Sequence, residues 1–106
     1  DESFKDVKGI KIPKQMEGAI SGWHLYMIQV DDRKKVFDKL RKTGIGVNVH
    51  YIPVYKHPYY QNNGYERCCC PVAESYYSRA ISLPIFPGLT NEQQQYVIGE
   101  VIKSLE

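Results

Sequence analysis

The run Trp23–Val30 constrains this chain more than any other stretch of it. It is apolar on nearly both faces, so as a strand it needs a central place or cover on both sides. A helix signal follows at once. Asp31 and Asp32 provide an acidic start, and Lys39, Arg41 and Lys42 gather at the end, as the helix dipole prefers. Val36, Phe37 and Leu40 fall on one stripe, and the spacing predicts a helix over 33–43. Gly44 then suits a left-handed C-cap, with Ile45 placed to pack back on the helix.

Downstream, Val47–Ile52 alternates and reads as a second strand. Val47, Val49 and Tyr51 share one face; Asn48, His50 and Ile52 share the other, more polar one. Pro53 ends it. Residues Val54–Cys70 read as a long loop rich in Tyr, His, Pro and Asn, a type of segment that often carries function. Pro71 suits the first position of a helix running to Ala80, with Val72, Ala73, Tyr76, Tyr77 and Ala80 as its inner face. Ile81–Ile85 is a short strand interrupted by Pro84, which sends it to a sheet edge. Thr90–Gln93 has the form of a capping box and opens a last helix to Leu105, with Val97, Ile98, Val101, Ile102 and Leu105 on one side.

Residues 1–22 are weakly patterned and read as a linker, with an edge strand at Gly9–Pro13; residues 23–106 read as the domain proper. The expected class is α+β: a short, mainly antiparallel three-stranded sheet with helices packed on one face. At 106 residues, 42% apolar and 25% charged, the chain supports one modest core.

Several functions are excluded or disfavoured. A net charge of +2 is too mild to drive nucleic-acid or membrane binding, and no apolar run approaches the ~18 residues of a membrane span. Cys68, Cys69 and Cys70 are adjacent and odd in number, which suits neither a disulfide framework nor a zinc site, and they read as reduced loop residues of a cytoplasmic protein. No nucleophile elbow, phosphate loop or zinc-protease motif occurs. Gly44-Ile45-Gly46 follows a helix and is a cap, not a dinucleotide fingerprint.

Three histidines remain. His24 lies within the apolar run and reads as a satisfied structural histidine. His50 and His57 lack the neighbours a metal site needs. His50 stands at a strand-to-loop junction, where functional residues gather, yet the pattern alone favours a surface histidine beside a packed tyrosine. Tyr51, Tyr55, Tyr59, Tyr60 and Tyr65 suit either stacking on a planar ligand or covering a small core.

The strings Trp23-His24-Leu25-Tyr26, Gly44–Pro53, His57-Pro58-Tyr59-Tyr60, Pro71-Val72-Ala73-Glu74 and Ser82–Thr90 occur in an order and spacing that resembles the C-terminal part of the DegT/DnrJ/EryC1/StrS aminotransferases, along residues 20–105. Tyr55-Lys56 and the cysteine triplet depart from that pattern. The resemblance implies the small domain of a fold-type I enzyme dependent on pyridoxal phosphate (PLP). The Schiff-base lysine would lie in a preceding large domain, and the active sites would be shared in a homodimer. Within the family the likeness is to transaminases of pseudaminic acid synthesis, which implies a UDP-linked 4-keto-6-deoxy sugar as substrate and glutamate as amino donor. It also implies that Asn48, Val49, His50 and Tyr51 touch the nucleotide-sugar, that no residue here is catalytic, and that the chain, which opens on Asp1, is inactive alone. The competing expectation is a small stand-alone α+β module that binds nucleotide or RNA.

Overall fold

The computed structural model describes residues 1–106. Its elements are β1 (Ile10–Lys11), β2 (Tyr26–Val30), α1 (Arg33–Lys42), a 3-10 turn (Val54–Lys56), α2 (Pro58–Tyr60), a π-type turn (Gln61–Tyr65), α3 (Pro71–Arg79), β3 (Ala80–Leu83) and α4 (Asn91–Leu105). The sheet is antiparallel throughout, in the order β1-β2-β3. The expected α+β class with a short three-stranded antiparallel sheet holds, and β2 is central, as its two apolar faces require.

The origin of the third strand differs from expectation. Val47–Ile52 is not a strand: only Asn48 pairs, in a single bridge to Ser82. The outer position beside β2 goes to Ile10–Lys11, within the edge strand expected at Gly9–Pro13, in register with Val30 and Gln29. Alternation predicted the facing of Val47 and Asn48 correctly, the first fully buried and the second exposed, while Val49 and His50 are both half-buried. It could not predict a partner, because a period of two states where side chains point and not whether a free edge lies alongside.

Ile28 pairs with Ile81 and Met27 with Ser82, so the two faces of the sheet differ. On the first face Ile28, Val30, Ile81 and Leu83 meet Val36 and Leu40 of α1 and Val101 of α4, with Ile45, Val47 and Phe4 completing the cluster. A fully buried Leu or Ile contributes about 1.5–3 kcal/mol, so this cluster is the main source of stability. On the other face the Tyr76 hydroxyl of α3 donates to Met27 Sδ at 3.3 Å.

Local signals account for the helix ends. Asp32 caps α1, accepting from the Lys35 N–H at 3.1 Å. Past its last turn, Gly44 sits at φ +81°, where its N–H donates to the Arg41 carbonyl at 3.2 Å and the Ile45 N–H donates to the Leu40 carbonyl at 3.0 Å. That pair of bonds forms a Schellman motif and drives Ile45 into the core. Thr90 and Gln93 complete both halves of the capping box that opens α4.

Two further expectations are corrected. Val54–Cys70 is not an open loop but a succession of short helical turns. The helix from Pro71 stops at Arg79, and of its predicted inner face Val72, Ala73 and Tyr76 are exposed, Tyr77 is half-buried and only Ala80, which already belongs to β3, is buried.

Candidate functional site

An open groove of about 730 Å³ runs between the end of the sheet and the start of α4. Gly44-Ile45-Gly46 and Asn48 form one wall, Leu83–Phe86 another, and Gln93, Tyr96 and Val97 of α4 a third. The α1 cap turns the chain so that 45–50 crosses the sheet edge, and the mutual bonds of Asn48 and Ser82 hold it there. The Asn48 N–H donates to the Ser82 carbonyl at 3.2 Å and the Ser82 N–H returns to the Asn48 carbonyl at 2.8 Å.

Of the four predicted site residues, Asn48 and His50 come together on this groove. Val49 is half-buried behind it, and Tyr51 projects outward at 71% exposure. His50 is half-buried, with Nδ1 2.7 Å from Ser82 Oγ. Its ring meets the edge of Tyr51 at a centroid distance of 4.5 Å and an interplanar angle of 70°. Sequence reasoning did not single out Ser82, which lies 32 positions from His50 and within a strand. His24 is corrected: it is exposed, stands before β2 and lines the same groove. His57 is exposed at the start of α2, away from the groove.

A second polar cluster organises the segment after Pro53. Tyr55 is buried, and its hydroxyl donates to Glu74 Oε1 at 2.7 Å while accepting from the Cys70 N–H at 3.0 Å. Lys56 Nζ donates to Glu74 Oε2 at 2.8 Å. Loss of solvent, and then the bond to Glu74, push the Tyr55 phenol up to about 12. Bonds from Lys56 and then Tyr55 hold the Glu74 carboxyl below its usual range. Tyr55 therefore organises the segment through its buried hydroxyl. Cys68, Cys69 and Cys70 are free and exposed beside this cluster.

The groove contains neither lysine nor arginine. Nothing on it can form an imine with a cofactor aldehyde, so these residues do not by themselves fit PLP. No group of three or more His, Cys, Asp or Glu residues is placed to hold a metal ion. No helix is long and apolar enough to cross a membrane.

The groove is an apolar surface tipped with polar groups at the edge of a small antiparallel sheet. The chain belongs to the DegT/DnrJ/EryC1/StrS aminotransferase family, whose model matches residues 1–102. It is 36% identical over 107 residues to the spore coat polysaccharide biosynthesis protein SpsC of Bacillus subtilis, covering 93% of this chain and 28% of that protein. Among solved structures it resembles PseC of Helicobacter pylori, an aminotransferase involved in pseudaminic acid biosynthesis, with a TM-score of 0.89 and 30% identity over 99% of this chain and 29% of that one. It also resembles Spr1654 of Streptococcus pneumoniae in its PLP-form, with a TM-score of 0.90 and 27% identity over 98% of this chain and 28% of that one. The chain thus spans little more than a quarter of the length of the relatives it matches.

Proposed function

We propose that residues 23–106 are the small, substrate-closing domain of a PLP-dependent nucleotide-sugar aminotransferase and that residues 1–22 lead in from a preceding large domain. The substrate is a UDP-linked 4-keto-6-deoxy sugar and glutamate is the amino donor, in the synthesis of cell-surface polysaccharide or glycan. Asn48, Val49, His50 and Tyr51 form the segment that meets the nucleotide-sugar. PLP, anchored in the large domain, supplies the electron sink for amino transfer. The assembled enzyme is a cytoplasmic homodimer.

The observation that carries this reading is the groove on which Asn48 and His50 converge in a chain of this family. An amide and an imidazole beside apolar walls suit a ligand with a hydroxylated ring and polar substituents. Val72, Ile20 and Phe86 are large apolar side chains left exposed, and they give the large domain a surface to cover. The competing RNA-binding reading finds little footing: Lys34, Lys35 and Lys39 lie on α1, which packs on the sheet face opposite Ser82 and Met27.

The test compares the full-length protein with residues 1–106 alone, each mixed with PLP, a UDP-4-keto-6-deoxy sugar and glutamate. The full-length protein is expected to retain the cofactor through gel filtration and to form the 4-amino sugar; residues 1–106 alone do neither. Turnover by residues 1–106, or borohydride-fixed cofactor on one of their lysines in the active enzyme, overturns the proposal.

A further inference from the structure

We propose that Ser82 is a positioning residue that sets the tautomer of His50, making the groove-side nitrogen of that ring a hydrogen-bond donor to an acceptor oxygen of the substrate. The substrate contact rests on the proposed function; the tautomer does not.

A neutral imidazole carries one N–H and one bare nitrogen, and the partner of one nitrogen decides the state of the other. Here the partner of Nδ1 is Ser82 Oγ, 2.7 Å away. Two arrangements share that distance. If Nδ1–H donates to Oγ, the serine hydroxyl must send its own proton elsewhere. Ser82 is only 4% exposed, touching the groove with little of its surface, and its Oγ has no second hydrogen-bond partner in the protein, so that proton would find no protein acceptor. Leaving a buried donor unmade costs more than a typical hydrogen bond gains. If the hydroxyl instead donates to the bare Nδ1, both groups are satisfied and the ring proton resides on Nε2.

The backbone leaves Ser82 little freedom to evade this choice. It pairs with Met27 on one side and exchanges two bonds with Asn48 on the other. Tyr51, edge-on to the imidazole, restrains the ring from a second direction. His50 Nε2 makes no bond within the protein, and the residue lines the groove. The ring therefore presents Nε2–H to the groove as a donor. It donates to a hydroxyl, carbonyl or phosphate oxygen and offers nothing to a ligand group that can only donate.

The experiment uses the full-length protein, labelled with 15N and observed by long-range 15N–1H correlation at neutral pH. The His50 signals are assigned by their loss in His50→Gln. The expected spectrum is that of the neutral Nε2–H tautomer. Ser82→Ala is expected to give a mixture of tautomers, and Ser82→Thr, which keeps the hydroxyl, to restore the original pattern. In kinetics Ser82→Ala raises the KM for the sugar nucleotide about three- to tenfold with a smaller change in kcat, as expected for a weakened single hydrogen bond. The same change has no further effect in His50→Gln.

A wild-type spectrum showing Nδ1–H, or an unchanged pattern in Ser82→Ala, overturns the tautomer assignment. A wild-type KM in His50→Gln overturns the substrate contact and, with it, the role proposed for this segment, whatever the spectrum shows. Far-UV circular dichroism of Ser82→Ala matching wild type excludes a folding defect as the cause of any change.

Discussion

Two regions of this small domain hold their shape by different means. Around β2, closure is apolar: Ile28, Val30, Leu40 and Val101 are each at most 1% exposed and pack from two helices and the sheet. In the arm from Val54 to Arg79 only Tyr55 is buried, and cohesion comes from the Tyr55–Glu74–Lys56 cluster and from edge-on tyrosine contacts of Tyr60 with Tyr59 and Tyr65. The comparison shows that a segment can have defined backbone turns without a core of its own. Such segments open locally at lower free energy than the core.

The largest test removes part of the core. Leu40→Ala is expected to lower stability by about 3 kcal/mol, the middle of the range for burying a cavity at such a site, as measured by urea unfolding. The arm is expected to lose hydrogen-exchange protection together with the core, because it is tied to the sheet through Tyr76 and β3. An arm that stays protected while the core opens would reverse the dependence described above.

Next in size is the cap of α4. Thr90→Ala deletes one half of the capping box and is expected to cost about 1 kcal/mol, read as a lower melting temperature with the arm unaffected. The contrast between the regions would be blurred if arm amides responded as strongly as those of α4.

The smallest global effect, and the sharpest local one, comes from the polar cluster. Tyr55→Phe is expected to speed exchange of the Cys70 amide and proteolysis within 54–70, while the Ile28 and Ile81 amides keep their protection. The same cluster responds to pH at both ends. Glu74 has a depressed folded pKa, so its contribution is present above the ordinary carboxylate range and is lost as pH falls through the folded value. Tyr55 has a raised pKa, so its contribution is full below about 10 and disappears as pH rises through about 12. Exchange of the Cys70 amide followed from acid to alkali should therefore be slowest between those limits. A flat profile would show that the cluster contributes nothing to the order of the arm.

Much of the fold was legible because its signals are local. Asp32, Gly44 and Thr90 act on backbone groups within a few positions of themselves, so residue type and spacing suffice to place α1 and α4. The apolar run at β2 was equally legible, since only a central strand can hide both its faces. The site was half legible. Alternation placed Asn48 and His50 on one face, and both do line the groove, but it also suggested a strand that only the Asn48–Ser82 bridge remains of. The arm was the least legible: its tyrosines carry no period, and the role of Tyr55 depends on Glu74, 19 positions away.

By itself the sequence determined the ends of the principal helices, the central strand and the family. Caps, stripes and motif strings are short-range, or matched position by position, and need no knowledge of neighbours. Only the tertiary structure decided that Val47–Ile52 is no strand, that the edge at Ile10–Lys11 pairs with β2, and which hydroxyl meets His50. All three depend on edges and buried atoms brought together across many residues of chain, where hydrogen-bond partners are chosen by geometry in space and not by spacing along the polypeptide.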